Sequence, residues 1–183
     1  MSFPLPLFFV WGRTISRAVL WFSFLLSSTT IPSITPSSPR ITPALLTTTI
    51  STNLTGAFLT TQSAALQMSL QSPTGGSIIG ISSISALVGG PRQCHYTPTK
   101  AGVLSLMQSC ACALGKYGIR CNAILPGTIR TRLNEEDLGG EKGKEAEGKV
   151  PLGRLGMPGD IGGPAVFLAS ELSGYVVSVL FWL

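Results

Sequence analysis

Tyr96 and Lys100, in the stretch HYTPTKAG, are the two side chains whose types and spacing could do chemistry together. At i and i+4 on a helix they share one face, within contact range. A phenol with a pKa near 10 is a feeble acid–base catalyst at neutral pH. An ammonium beside it favours the phenolate, so the pairing predicts a lowered phenol pKa, at about 1.4 kcal/mol per unit. Pro98 lacks an N–H and fits the first helical turn, so the helix is predicted to begin near His95, with Tyr96 at its exposed mouth. The pattern Y-x-x-x-K alone is weak, and its neighbours give it weight. Ser83 lies thirteen residues ahead of Tyr96, at the end of the isoleucine-rich run SIIGIS. Ser82 and Ser85 beside it leave the register open by a residue or two.

These residues need a sheet to bring them together. Ser77–Ser82 reads as a short buried strand, and a Gly/Pro loop follows it through Pro91. Val103, Met107, Cys110 and Leu114 recur at helical spacing, and the helix stops at Lys116-Tyr117-Gly118. Ile119–Leu125 (IRCNAIL) is a second strand, ended by Pro126-Gly127. Strand, helix and strand make one right-handed βαβ unit with parallel strands. Ligands bind outside the carboxyl ends of such strands, so Ser83, Tyr96, Lys100 and the Pro126–Thr131 loop should converge on one cleft. Upstream, Asn53–Gln71 reads as a helix with Leu54, Phe58, Ala65 and Met68 on part of its apolar face. Downstream, Glu135–Lys149 reads as a mobile surface loop or lid, Asp160–Leu168 as a helix weakened by Gly162, Gly163 and Pro164, and Tyr175–Leu183 as a buried strand.

Composition bounds the alternatives. The 183 residues fit one ordinary domain, with 44% hydrophobic and only 11% charged residues, which excludes a coiled coil or a charge-rich disordered chain. Nine Lys or Arg residues precede the first acidic residue, Glu135, but they are scattered singly, which argues against nucleic-acid binding. Cys94, Cys110, Cys112 and Cys121 form no C-x-x-C pair, and His95 could supply at most one ligand, so no metal site is expected and the cysteines read as small buried hydrophobes. His95 itself reads as a loop residue.

Residues 1–52 differ in texture. The apolar stretch to Leu26, with Arg13 and Arg17 ahead of Ala18–Leu26 and Ser27-Ser28 after it, mimics a signal peptide. Ala18–Leu26 is too short to span a bilayer, so a membrane partner is disfavoured; the unpaired cysteines suit a reducing compartment, so a cytoplasmic location is expected. A secretory or membrane role for residues 1–28 is the alternative. Ser27–Thr52 is rich in Ser, Thr and Pro, with prolines at 32, 36, 39 and 43, and reads as a linker or disordered segment. The divisions expected are 1–52, atypical and disordered; 53–175, the α/β part; and 176–183, a divergent apolar tail.

The stretches NLTGAF, GSIIGISS, HYTPTKAG, YGIRCNAILPGTIRT and VPLGRLGMP together resemble the short-chain dehydrogenase/reductase family. Within it the texture resembles fungal sugar dehydrogenases of the L-rhamnose 1-dehydrogenase kind. The resemblance implies a Rossmann-like, doubly wound parallel sheet and NAD- or NADP-dependent oxidation of a CH–OH group in a small alcohol or sugar. It implies that Tyr96 moves the hydroxyl proton and that Lys100 lowers its pKa and binds the nicotinamide ribose. Ser83 would hold the reacting oxygen, and Asn53 would anchor a water relay behind Lys100. Asn53 could instead simply cap the helix it begins. Pro126, Gly127, Ile129 and Thr131 would line the nicotinamide carboxamide, while Thr131 could also only cap a turn. The helix after Tyr96 resembles one that forms homo-oligomers.

The chain also departs from the family pattern. No T-G-x-x-x-G-x-G occurs, and PALLTTTIST stands where N-N-A-G should precede Asn53. After Tyr175-Val176 the chain runs into VSVLFWL instead of the family's Y-V-T-G continuation. The expectation is a partial sheet lacking its N-terminal half, with an unpaired edge at the Ser83 strand and weak cofactor binding. The alternative is a catalytically inactive, truncated remnant with impaired cofactor binding.

Overall fold

The computed structural model describes residues 18–21, 41–90, 93–132 and 134–183. The leader reading of residues 1–28 lies outside these residues apart from 18–21, as does the proline-bearing run 27–40. Among the described residues one all-parallel sheet carries strands β1 (Ala18–Trp21), β2 (Gly76–Ile81), β3 (Ile119–Leu125) and β4 (Leu180–Trp182), in that spatial order. Helical segments connect them: α1 (Pro43–Ile50), a π-helical turn Ser51–Thr55 and α2 (Gly56–Leu70); then α3 (Ser85–Val88) and α4 (Thr97–Leu114); then α5 (Gly140–Gly148) and α6 (Pro158–Ala169).

Side chains alternate across a strand, so the isoleucines of β2 feed two cores. Ile78 joins Cys121 and Ala123 of β3 against Met68 of α2 and Met107 of α4. Ile79 and Ile81 join Ile124 against Ile161, Ala165 and Leu168 of α6. Burial on both faces explains the near-continuous apolar runs of β2 and β3. Gly80 lets α4 approach, because a Cβ there would lie 2.6 Å from the Met107 Cγ and 3.2 Å from a Val103 methyl.

Several expectations are corrected. The edge of β2 is not open: β1 pairs with it in parallel, from Ala18 opposite Ser77 to Trp21 opposite Gly80, occupying backbone groups that an edge would expose. Helix α1 forms inside the Ser/Thr/Pro-rich segment, because Pro43 sits in the first turn and Thr42 accepts from the Leu45 N–H at 3.1 Å. Asn53 therefore lies within a continuous helical stretch and caps nothing. Phe58 is half exposed and lines a groove with Leu54, Gly102 and Leu106, while Ala57, Thr60, Thr61, Ala65 and Met68 are the buried residues of α2. The charged stretch expected to be a loop contains α5, where Lys144–Glu141 and Lys149–Glu145 pair along the helix at 2.9 and 2.7 Å.

Tyr175–Leu183 was expected to be a buried strand, but only its end is strand, and Tyr175 is fully exposed. Besides backbone bonds to β3, the segment is held by Asn122 of that strand, which is fully buried. The Asn122 Nδ2 donates to Val176 O at 2.9 Å, and its Oδ1 accepts from the Val179 N–H at 3.0 Å. Asn122→Ala removes both bonds and is expected to cost about 1–3 kcal/mol, read as a lower urea midpoint with β4 amides losing exchange protection. An unchanged midpoint would show that the segment docks without it.

Candidate active site

Helix α4 begins as its sequence dictates, with Pro98 in the first turn and Tyr96 as the residue just before it. The Tyr96 carbonyl accepts from the Lys100 N–H at 3.2 Å and from the Thr99 hydroxyl at 2.7 Å. Thr99 Oγ1 in turn accepts from Asn53 Nδ2 at 3.1 Å. The π-helical turn thus delivers a fully buried asparagine to the base of the tyrosine, a use typical of such turns.

The Lys100 side chain is only 1% exposed. Its Nζ donates to the Ile81 carbonyl at 3.0 Å and stands 5.5 Å from the centre of the Tyr96 ring, within cation–π range. Burial pulls its pKa down to about 8. The Ser83 hydroxyl hydrogen-bonds the Tyr96 phenol and lowers its pKa, but burial outweighs it and pushes the phenol up to about 12. The lowered phenol pKa expected from the Tyr–Lys spacing is therefore not found, since desolvation of the phenolate dominates.

The three neighbouring serines separate by partner. Ser82 Oγ donates to the Lys100 carbonyl at 2.7 Å. Ser85 donates to Ser83 Oγ twice, from its N–H at 3.2 Å and its hydroxyl at 3.0 Å. A hydroxyl has two lone pairs and one hydrogen. With both lone pairs taken by Ser85, the Ser83 hydrogen is left to donate. Ser83 is thus the serine that reaches Tyr96.

The Pro126–Thr131 loop lies at the same end of the sheet. Ser82 N–H donates to Ile124 O at 2.8 Å and Ile84 N–H to Pro126 O at 3.1 Å, which ties the serine segment to it. Gly127 N–H donates to Leu183 O at 2.7 Å. Ile129 bridges in parallel to Gly156, and Arg130 pairs with Glu147 at 3.1 Å. Thr131 is held by the side chain of Asn134. Ser83, Tyr96, Lys100 and Asn53 are brought into one connected cluster, with Pro126 and Gly127 beside it; Ile129 and Thr131 lie farther along the loop.

Sequence reasoning missed Thr99 and Asn134, and gave Ser85 only as an alternative register for Ser83. The S-x-S and T-x-x-N spacings of turns closed by a side chain were the available signals. His95 is buried, and neither ring nitrogen has a hydrogen-bond partner among the described residues; burial lowers its pKa. Among those residues no cluster of three His, Cys, Asp or Glu side chains could hold a metal, and no helix is long and apolar enough to cross a membrane.

Comparison with known proteins agrees with this geometry. A family model described as enoyl-(acyl carrier protein) reductase matches residues 27–180. An L-rhamnose-1-dehydrogenase of Scheffersomyces stipitis is 70% identical over 138 residues, covering 75% of this chain and 53% of that protein. An L-rhamnose 1-dehydrogenase (NAD(P)(+)) of Azotobacter vinelandii is 64% identical over 129 residues, covering 70% and 50%. The chain thus spans about half the length of these curated relatives. A crystal structure from Agrobacterium tumefaciens, assigned as a 2-deoxy-D-gluconate 3-dehydrogenase with bound NADP, superposes with a TM-score of 0.76 at 30% identity, over 84% of this chain and 61% of that one. A parallel sheet flanked by helices, a tyrosine and lysine one turn apart beside a serine, and a family match over residues 27–180 lead to one assignment: the chain belongs to the short-chain dehydrogenase/reductase family.

Proposed function

We propose that the chain carries the catalytic residues of an NAD- or NADP-dependent dehydrogenase acting on a CH–OH group of a small sugar such as L-rhamnose. The observation that supports this most is the Ser83–Tyr96–Lys100 cluster at the carboxyl end of β2. The donor set suits a nicotinamide nucleotide: Lys100 supplies a cation, and the Thr131 hydroxyl offers lone pairs for a carboxamide N–H. Tyr96, Lys100, Pro126, Gly127, Ile129 and Thr131 would hold it. Bound NAD or NADP supplies the hydride acceptor for the oxidation.

The protein's own groups handle the proton and the oxygen. Ser83, its lone pairs taken by Ser85, gives its one hydrogen to Tyr96 in the free chain and would turn it to the reacting oxygen when substrate binds. In oxidation Tyr96, once ionised, takes the hydroxyl proton at its phenolate oxygen; in reduction the neutral phenol gives its proton to the carbonyl oxygen. Lys100 supports the phenolate as it forms, and Asn53, through Thr99, keeps the start of α4 in place. The groove between α2 and α4, with Phe58 and Leu106 part-exposed, suits a homo-oligomeric contact. The expected location is the cytoplasm.

Incubating the chain with L-rhamnose and NAD or NADP, and following the absorbance of the reduced nicotinamide, tests the activity. Turnover that saturates at millimolar rather than micromolar cofactor is expected, because the sequence holds no glycine-rich phosphate loop. A folded chain with no turnover at any cofactor concentration would establish the inactive-remnant reading instead.

A further inference from the structure

We propose that Asn134 is a positioning residue, which fixes Thr131 so that its hydroxyl can only accept a hydrogen bond from the nicotinamide carboxamide. This rests on the reading of Thr131 as a carboxamide contact given above. The Asn134 Oδ1 accepts from the Thr131 N–H at 2.8 Å and from the Thr131 hydroxyl at 3.1 Å. Its Nδ2 donates to the Ile129 carbonyl at 2.8 Å, and its own N–H donates to Thr131 O at 3.2 Å. One half-buried side chain therefore closes the 129–134 turn with three bonds. The backbone before Thr131 is fixed separately, by Arg130 N–H to Gly156 O at 2.8 Å and Gly156 N–H to Thr128 O at 3.1 Å. Among the described residues, the hold on Thr131 itself comes from Asn134.

The chemistry follows from counting hydrogens. A threonine hydroxyl has one hydrogen and two lone pairs, and here the hydrogen is given to Asn134. What remains can meet the N–H of a primary amide but repels the lone pairs of its carbonyl. Asn134 thereby chooses which end of the carboxamide faces Thr131, without touching it.

Two measurements test this, one of them on the free chain. In Asn134→Ala, exchange of the Thr131 amide hydrogen followed by NMR is expected to accelerate about tenfold or more, while β2 amides keep their protection. In Asn134→Asp, which keeps the acceptor for both Thr131 donors, the amide stays protected. The second measurement titrates NADPH and its 3-acetylpyridine analogue, which has no amide N–H. Asn134→Ala is expected to weaken NADPH about tenfold and the analogue less than about twofold. On a Thr131→Val background it should add no further loss, because the two residues act as one unit.

Unchanged Thr131 exchange in Asn134→Ala, or equal losses for the two nucleotides, would overturn the proposal. If Thr131→Val weakens NADPH while Asn134→Ala does not, this proposal alone fails. If Thr131→Val binds both nucleotides as the parent does, the carboxamide reading of Thr131 fails and takes this proposal with it.

Discussion

Tyr96→Phe is expected to lower turnover by about 10²–10⁴-fold while leaving nucleotide affinity within about twofold. The substitution removes one oxygen and nothing else. The ring that stands 5.5 Å from Lys100 Nζ remains, so the cation–π contact survives. What disappears is the hydrogen bond with Ser83 and the only phenol in the cluster. The direction of pH dependence follows from burial. With the phenol pushed up to about 12, Tyr96 holds its proton at neutral pH. It is therefore ready as an acid for carbonyl reduction and poorly ionised as a base for alcohol oxidation. Oxidation by the parent should climb with pH from neutrality as the phenol ionises, and reduction should fall above about pH 8, where Lys100 loses the charge that supports the phenolate. Rates at 340 nm for both directions check this. Retained turnover in Tyr96→Phe would move the proton transfer to another group.

The elements around the site were legible because each residue obeyed one dominant rule. Pro98 in a first turn placed the start of α4, Gly118 ended the following turn at a φ of 71°, and the isoleucines of β2 and the AIL end of β3 marked strands covered on both faces. Asn53 was legible as a site residue but not in its setting. Its π-helical turn arises from a helix that starts ten residues earlier, at Pro43, and a proline-rich composition masks that start. The pairing of β1 with β2 was invisible for a different reason. Parallel partners lie far apart in sequence, and a four-residue apolar run carries no register of its own. The terminal strand was over-read: YVVSVLFWL has strand propensity throughout, yet the Asn122 side chain takes the Val176 carbonyl and the Val179 N–H, so regular pairing starts only at Leu180.

Electrostatics was the part that spacing misjudged. Tyr-x-x-x-Lys gives proximity, and proximity alone predicts a lowered phenol pKa. It says nothing about how much water the fold removes, and that term sets the sign here. Positioning residues were hidden because they act by hydrogen bonds over two or three positions. Ser85 on Ser83 and Asn134 on Thr131 are such cases, and their residue types are common in any turn.

Lys100→Met should make the chain more stable at neutral pH and at the same time lower turnover by about 10²–10⁴-fold. Holding an ammonium at 1% exposure, with its pKa brought from 10.5 to about 8, corresponds to about 3 kcal/mol against folding wherever the group is charged in both states. Methionine matches the length of the stem and removes the charge. It also removes the 3.0 Å donor to Ile81 O, which gives back about 1–2 kcal/mol, so a net gain of about 1–2 kcal/mol is expected at pH 7. Between pH 8 and 10.5 the unfolded lysine holds more protons than the folded one, so the stability of the parent rises with pH through that window. The methionine variant has no such rise, and its advantage should shrink to nothing or reverse by pH 10.5. Above pH 10 both chains lose stability together, because the folded Tyr96 keeps a proton that the unfolded tyrosine releases. Urea midpoints of parent and variant from pH 7 to 10.5 give the comparison. A variant less stable than the parent at pH 7, with a gap that does not change with pH, would mean that the lysine's hydrogen bonds outweigh its desolvation, and that this site is held together by the charge it buries.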